Sequence, residues 1–259
     1  MRVPFFKRVN LLYALALASV LFIPTSMSAQ EKLVFESQRD GNNEIYLMHA
    51  NGANQFRLTS NTFYDAEPAF SAAGEKIAFT STRSGNAEIY IMNTDGSMVQ
   101  NVTNNPAADG HPAFSADGNK IVFMSARGGH LGIWVMNVDG SNPVELLDGI
   151  GGKEPEFSPD GTKIVFSGTG GSAGDSEIWT MNADGTGRIN LSKDPDSEDT
   201  EPSFSPDGTK IVFTKNPESG SSEVFTMNVD GSNPVNLTNH ASADSAAGFS
   251  GDGTRFFFT

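Results

Sequence analysis

The sequence has no cysteine, and its basic residues are scarce. Without cysteine the chain can form no disulfide bond, and it has no thiol that could be acylated in a lipoprotein. Its 17 Lys and Arg residues face 31 Asp and Glu, a net charge of −14 at pH 7. Such an acidic surface repels nucleic acid and anionic lipid. The composition therefore argues against both and favours a cation, a basic protein or a neutral ligand as partner.

Long apolar runs are also missing, apart from one near the N-terminus at residues 11–23. Three basic residues and no acid precede it: Arg2, Lys7 and Arg8. This order is typical of a secretory signal, which we predict to span residues 1–29 with cleavage after Ala29. The alternative, an uncleaved anchor, needs a membrane span of about 20 apolar residues, and this run is shorter. We therefore expect a periplasmic or secreted protein with no membrane segment after cleavage and a net charge of −17, from 14 basic and 31 acidic residues.

Catalytic and cofactor motifs are scarce as well. The four histidines form no pair at the short spacing that zinc requires: His49, His111, His130 and His240. Residues 170–174 (GGSAG) match the nucleophile-elbow pattern, but the next segment is an apolar-alternating strand and not the helix that this motif needs. No glycine-rich phosphate loop precedes a helix. The residues thus favour binding over catalysis.

What the sequence does contain is a repeat of about 45 residues, covering 32–259. Units begin near Lys32, Lys76, Lys120, Lys163 and Lys210, with a partial unit at Arg255, at spacings of 44, 44, 43, 47 and 45 residues. A fixed period of this length indicates a propeller or a solenoid. Each unit reads as four short strands joined by turns, several of them Asp-Gly pairs that favour tight hairpins.

One four-stranded sheet has two faces and little core, so it is stable only between neighbouring sheets. We therefore predict an all-β fold, a β-propeller of four-stranded antiparallel blades with about five repeats. Aromatic residues recur at three positions of the unit, and we interpret them as packing between blades. The set is Phe70, Phe114, Phe157, Phe204 and Phe249; Phe79, Phe123, Phe166 and Phe213; Tyr46, Tyr90, Trp134, Trp179 and Phe225. The alternative, an exposed aromatic platform for sugars, explains their repetition less simply.

The segments FSPDGTKIVF and EIWTMNADG resemble the repeats of the TolB-like, WD-repeat-like propeller family, and the resemblance covers residues 32–259. It implies a bacterial propeller that can host a periplasmic partner site, a sugar-processing site or the propeller half of a peptidase. In TolB an α/β domain precedes the propeller; we expect no counterpart of it in this sequence, so roles that depend on that domain do not carry over.

The number of blades stays open at this point. The first unit supplies only a second, third and fourth strand, and the last supplies AGFS (247–250) and FFFT (256–259). Either AGFS completes the first blade of a five-bladed ring, or the last two segments begin a further blade. The family implies six or more blades, which favours an incomplete ring and a cut-off gene product.

Acidic residues recur just before the first strand of successive units. In a propeller the first strand is innermost, so equivalent residues should converge on one mouth of the central channel. We predict a partner- or cation-binding channel mouth formed by Asp65, Glu67, Asp109, His111, Glu154, Asp199, Glu201 and Asp244. No cofactor is predicted, and calcium is the one metal considered, because it prefers oxygen ligands. The alternative is that each Asp caps its own turn through backbone amides.

The sequence therefore predicts an exported, monomeric module that binds a cell-envelope or secreted protein through one face of the ring. The alternative is an enzyme: a sugar lyase that uses the channel-mouth carboxylates with His111, or the propeller part of a peptidase.

Overall fold

β-Strands are the only regular elements among the residues that the structure, a computed structural model, describes: 32–147, 151–169 and 175–259. The predicted signal at 1–29 and the motif at 170–174 lie outside these ranges. No helix suited to crossing a membrane occurs within them.

The strands group into five blades and one two-stranded sheet. Blade 1 contains β1 Lys32–Ser37, β2 Glu44–His49 and β3 Phe56–Arg57. Blade 2 contains β4 Asp65–Phe70, β5 Lys76–Ser81, β6 Glu88–Asn93 and β7 Gln100–Asn101. Blade 3 contains β8 Asp109–Phe114, β9 Lys120–Ser125, β10 Gly132–Asn137 and β11 Val144–Leu147. Blade 4 contains β12 Lys153–Phe157, β13 Lys163–Thr169, β14 Ser176–Asn182 and β15 Ile189–Asn190. Blade 5 contains β16 Ser197–Phe204, β17 Lys210–Pro217, β18 Glu223–Asn228 and β19 Val235–Asn236. The C-terminal two-stranded sheet contains β20 Gly248–Phe249 and β21 Phe256–Phe257.

Each blade is an antiparallel meander, as the alternating sequence predicts. In blade 2, β4 pairs with β5, β5 with β6 and β6 with β7.

The Asp-Gly turns between strands are stabilised by hydrogen bonds that the aspartate accepts within its own turn. Asp95 Oδ1, for example, accepts from the Ser97 backbone N at 2.9 Å and from its hydroxyl at 2.6 Å, while Gly96 takes a φ of +82°. Glycine takes this left-handed conformation without steric cost, so the tight hairpin forms where predicted.

The core lies between the blades. One apolar cluster joins Val34, Ile45 and Leu47 of blade 1 to Phe70 and Phe79 of blade 2, and similar clusters join each later pair of blades. The aromatic residues of the first and second strands are at most 8% exposed, so the predicted inter-blade packing is confirmed. Stacking hides both faces of each sheet, and this arrangement is a β-propeller.

The two-stranded sheet lies between blade 5 and blade 1. β20 pairs with β21 through Gly248↔Phe257 and Phe249↔Phe256. Phe256 and Phe258 pack against the cluster that contains Val212 of blade 5, whereas Phe257 packs against the cluster that contains Phe35 of blade 1. Of the two arrangements left open by the sequence, the structure shows the one in which the last segments begin a sheet of their own.

The turn after the third strand contains one residue that fits its backbone poorly. Met98 has a φ of +58° and is 77% exposed, whereas the equivalent residues of the other blades are asparagine or glycine: Asn54, Asn142, Gly187 and Asn233. Residues other than Gly, Asn and Asp rarely adopt the left-handed conformation.

We expect Met98→Asn to raise the free energy of unfolding by about 0.5–1 kcal/mol, since the exposed methionine side chain contributes little packing. Chemical denaturation measures this gain, and Met98→Leu is the matched control with no expected change. Equal stability of the asparagine and leucine variants would contradict it.

Candidate functional site

The first strands of blades 2 to 5 and the two-stranded sheet surround one central cavity of about 160 Å³. Equivalent tripeptides line it, one from each of these sheets: 67–69, 111–113, 154–156, 201–203 and 246–248. The first strand is therefore innermost, as predicted. Of the predicted site residues, Glu67, His111, Glu154 and Glu201 lie in this lining.

A repeated irregularity of the first strand directs these side chains inward. The pairing register shifts between Ala66 and Ala69, and at the same place in blades 3, 4 and 5. The cavity residue at each shift has a left-handed backbone, with φ between 50° and 54°: Glu67, His111, Glu154 and Glu201. Ala246, the equivalent residue beside the two-stranded sheet, has a φ of 52°. Such a conformation costs about 1–3 kcal/mol per residue and persists only where the surrounding structure imposes it. It is a sign that the backbone is shaped for this site.

Hydrogen bonds between blades hold the strained residues. Glu67 Oε2 accepts from the backbone N of His111 at 2.8 Å. Glu154 Oε2 accepts from Glu201 N, and Glu201 Oε2 from Ala246 N, each at 2.8 Å. Hydroxyls of the second strands donate to the same carboxylates: Thr80 to Glu67 at 2.6 Å, Ser167 to Glu154 at 2.7 Å and Thr214 to Glu201 at 2.8 Å. Each cavity glutamate therefore links two blades and has a fixed orientation.

His111 is the one imidazole of the described lining. Its Nε2 lies 3.0 Å from Glu67 Oε1, and its side chain is 31% exposed. The cavity thus combines carboxylates with one group that can donate a hydrogen bond.

Two further carboxylates belong to the site, and the sequence prediction missed both. Glu156 lines the cavity where the equivalent residues are Ala69, Ala113, Ser203 and Gly248. Glu36 lies on β1, and its Oε2 accepts a hydrogen bond from Glu67 N at 2.9 Å. The equivalent residues of the other blades are Thr80, Met124, Ser167 and Thr214. Glu36 thus accepts the backbone N–H of the cavity residue in blade 2. In blades 3 and 5 a glutamate on the first strand of the preceding blade accepts the equivalent N–H, as Glu67 does from His111. The sequence signal for both residues is that each differs from its equivalents in the other repeat units. A search for residues that all units share passes over such positions.

Burial raises the pKa of both Glu36 and Glu156 to about 7. Around Glu36, the nearby Glu67 carboxylate raises the pKa further, whereas the backbone bond from Glu67 and the charge of His111 oppose the shift. For Glu156, hydrogen bonds from Ser203 and the Phe204 backbone oppose it. Both groups therefore change charge near neutral pH.

These shifts predict a decline of stability with pH. The folded protein holds the two protons up to about pH 7, whereas the unfolded chain releases them near its ordinary value of 4.5. The stabilising contribution is therefore complete below about pH 4.5 and is lost as pH rises towards 7, by at most about 1.4 kcal/mol per pH unit for each group. We expect denaturation midpoints to fall between pH 5 and 7.5, and Glu36→Gln with Glu156→Gln to flatten the decline. The exposed Glu75→Gln is the control that should keep it. An unchanged slope in the double variant would refute the assignment.

The structure places the four predicted aspartates outside the cavity lining. Asp65, Asp109 and Asp199 are fully buried and Asp244 is 3% exposed. Asp65 Oδ2 accepts from Arg83 at 2.8 Å and from Asn61 Nδ2 at 2.6 Å, and Asp109 Oδ2 lies 2.5 Å from Arg127. Burial raises the pKa of Asp199 to about 6, against the charge of Lys215. The carboxylates of Asp65 and Asp109 thus bind side chains, so the alternative of turn caps does not describe them either.

No group of three or more His, Asp or Glu residues within 32–147, 151–169 and 175–259 is arranged to hold a metal ion. The lining carboxylates are already engaged by amides and hydroxyls, and these donors would compete with a cation for the same oxygens.

Sheets stacked around an axis, with first-strand side chains lining a central cavity, define a β-propeller with an axial cavity. The family model described as TolB beta propeller domain matches residues 21–191 and 147–259. The chain belongs to this family.

Solved structures agree on the fold. TolB from Acinetobacter baumannii superposes with a TM-score of 0.73 at 24% identity, over 84% of this chain and 54% of that one. A putative TolB from Agrobacterium tumefaciens gives 0.72 at 22% identity, over 88% and 84%. An oligogalacturonate lyase in complex with manganese gives 0.62 at 17% identity, over 92% and 70%. The chain thus spans about half the length of the Acinetobacter protein. No curated protein sequence matches it significantly.

Proposed function

We propose that this protein is an exported interaction module that binds a basic segment of a cell-envelope or secreted protein at the central cavity. The observation that carries the proposal is the convergence of Glu67, Glu154, Glu156 and Glu201 on one cavity of about 160 Å³. A cavity of this size admits a side chain or a chain end, and the ring around it offers a broad surface for the rest of a partner.

Charge complementarity selects the partner. The lining has four carboxylates and one imidazole, within a chain of net charge −14. Arginine and lysine donate several hydrogen bonds and carry the opposite charge. Because the carboxylates are already oriented by bonds between blades, binding costs little ordering entropy on this side of the interface.

The proposal is tested by calorimetry with a defined probe, an eight-residue peptide of alternating arginine and glycine, at low ionic strength. We expect it to bind, and its glutamate counterpart not to bind. The triple variant Glu67→Gln, Glu154→Gln and Glu201→Gln keeps an acceptor oxygen at each position but removes three charges. We expect it to weaken binding about tenfold or more, equivalent to about 1.4 kcal/mol or more.

The matched control removes three charges from exposed positions outside the lining, through Glu75→Gln, Asp95→Asn and Glu218→Gln. It should change affinity less than about threefold, since screened surface charges act weakly. Equal losses in both triple variants would show general electrostatic attraction and reject the cavity as the site.

Export is the second part of the proposal, and it is supported by the layout of residues 1–29. We expect the full chain to reach the periplasm or the medium as a monomer that lacks these residues. Cell fractionation with N-terminal sequencing of the recovered protein tests this, and a variant without residues 1–29 should stay in the cytoplasm. Recovery of the uncut chain from the membrane fraction would favour the anchor instead.

The lyase alternative has one observation in its favour, the His111–Glu67 pair, because a carboxylate beside an imidazole can orient it as a general base. The same lining argues against an acidic saccharide, since the carboxylates of Glu67, Glu154 and Glu201 repel a polyanion. Incubation with oligogalacturonate and detection of unsaturated products by ultraviolet absorbance distinguishes the two. Product formation that His111→Gln abolishes would establish the lyase.

A further inference from the structure

The turn between the third and fourth strands differs in blade 1 from the other four. Four turns contain Asp-Gly followed by a hydroxyl residue, with the aspartate accepting from the backbone and hydroxyl of that residue: Asp95 with Ser97, Asp139 with Ser141, Asp184 with Thr186 and Asp230 with Ser232. Blade 1 has Asn51-Gly52-Ala53 instead, and this is the one Asn-Gly pair in the sequence. Ala53 offers only its backbone N, 3.0 Å from Asn51 Oδ1.

The surroundings of this turn are also more open. A Cβ at Gly96 would lie 2.9 Å from the Leu58 carbonyl of the preceding blade, and those at Gly140, Gly185 and Gly231 would also crowd carbonyl oxygens. A Cβ at Gly52 would meet nothing within 4 Å. Asn51 is exposed, and the following strand β3 has only Phe56 and Arg57, both exposed. The base of the hairpin is held by the Arg57–Glu44 ion pair at 2.7 Å. The tip at Asn51-Gly52 lacks the close contact with a neighbouring blade that the glycines of the other four turns make, so local opening is easiest there.

From these observations we propose that Asn51 is a site of spontaneous deamidation. In the closed turn the Gly52 N–H donates to the His49 carbonyl at 2.8 Å, so reaction follows opening. The Gly52 nitrogen then loses its proton to water and attacks Cγ of Asn51. A nitrogen–carbon bond forms, the amide NH2 group takes a proton from water, the Cγ–Nδ2 bond breaks and ammonia leaves. Glycine carries no Cβ to hinder the approach. Water then opens the cyclic imide at either carbonyl, giving aspartate or isoaspartate, with no oxidant or reductant needed.

The two products affect blade 1 differently. Aspartate reproduces the Asp-Gly turn of the other four blades and adds one negative charge. Isoaspartate places an extra methylene in the backbone, which disrupts the bond between His49 N and Ala53 O, now 2.9 Å long. The inference is independent of the proposed function, because the turn lies outside the central cavity.

Incubation of the folded protein at pH 8 and 37 °C, followed by peptide mass mapping, tests the proposal. We expect a mass gain of about 1 Da at Asn51 at least tenfold faster than at any other asparagine, with isoaspartate among the products. Gly52→Ala should slow it at least tenfold, and its denaturation midpoint shows that it folds. The matched control Gly41→Ala changes another left-handed glycine with open space, away from Asn51, and should leave the rate unchanged. Deamidation of Asn51 no faster than that of the other asparagines, or equally fast with Ala at position 52, would overturn the proposal.

Discussion

Replacement of Arg127 by methionine is expected to lower the free energy of unfolding by about 3–5 kcal/mol, the cost of a buried charge left without its partner. Asp109 is fully buried, and its Oδ2 lies 2.5 Å from the Arg127 guanidinium. The same guanidinium lies over the rings of Phe123 and Trp134, at 5.2 and 5.1 Å from their centroids. Because the methionine side chain still covers these two rings, the loss of unfolding free energy comes mainly from the unpaired Asp109 carboxylate.

This loss should depend on pH. Burial already raises the pKa of Asp109, against the opposing effects of Ser125 and Arg127, and removal of Arg127 raises it further. A raised folded-state pKa means that stability falls as pH rises through it, so the defect should be larger at pH 8 than at pH 5. Urea denaturation at both values measures it.

Two variants serve as comparisons for Arg127→Met. Adding Asp109→Asn removes the unpaired charge and should restore more than half of the loss. Lys76→Met breaks an exposed bond to Asn93 and should cost less than about 0.5 kcal/mol. If the Asp109→Asn addition restores nothing, the ion pair is not the source of the defect.

The second large effect is expected at Gly140. Its φ is +85°, and a Cβ there would overlap the Val102 carbonyl oxygen of the preceding blade. Gly52 has nearly the same φ, +84°, but open space around it. Alanine at either position should cost about 1 kcal/mol for the left-handed backbone, and Gly140→Ala should cost about 1–3 kcal/mol more because the blades must move apart.

The difference between these two alanine variants isolates the contact between blades from the backbone preference that both share. Thermal and urea denaturation of the pair, measured side by side, gives it directly. Equal losses at the two positions would mean that the close approach of blades 2 and 3 at Gly140 does not limit stability.

The sequence predicted the blades because their signals are local and repeated. Alternating strands and Asp-Gly turns act within a few residues, and the recurring phenylalanines mark the faces that stack. Placement of Glu67, His111, Glu154 and Glu201 around one cavity followed from symmetry alone. The pairing of the last two segments depended on packing against blade 1 and blade 5, so it could not be read from the repeat.

The separation of the aspartates from the cavity has a definite cause. Asp65 and Glu67 are two residues apart, and in a regular strand they would face the same way. The left-handed backbone at Glu67 and the register shift that follows it separate them, so Glu67 lines the cavity while Asp65 meets Arg83. Neither feature has a strong sequence signal beyond the Glu-Pro pair. Glu36 reaches Glu67 only across a blade interface, which no linear pattern reveals.

Carboxyl footprinting tests the central claim, that basic segments bind at the cavity, without any substitution. A water-soluble carbodiimide with a glycine ester labels accessible carboxylates of the protein alone and of the protein with the arginine–glycine peptide, and mass mapping compares the two. The peptide should lower labelling of Glu67, Glu154 and Glu201, while Glu75 and Glu218 should label equally in both samples. Protection elsewhere, or unchanged labelling of the three cavity glutamates at saturating peptide, would contradict it.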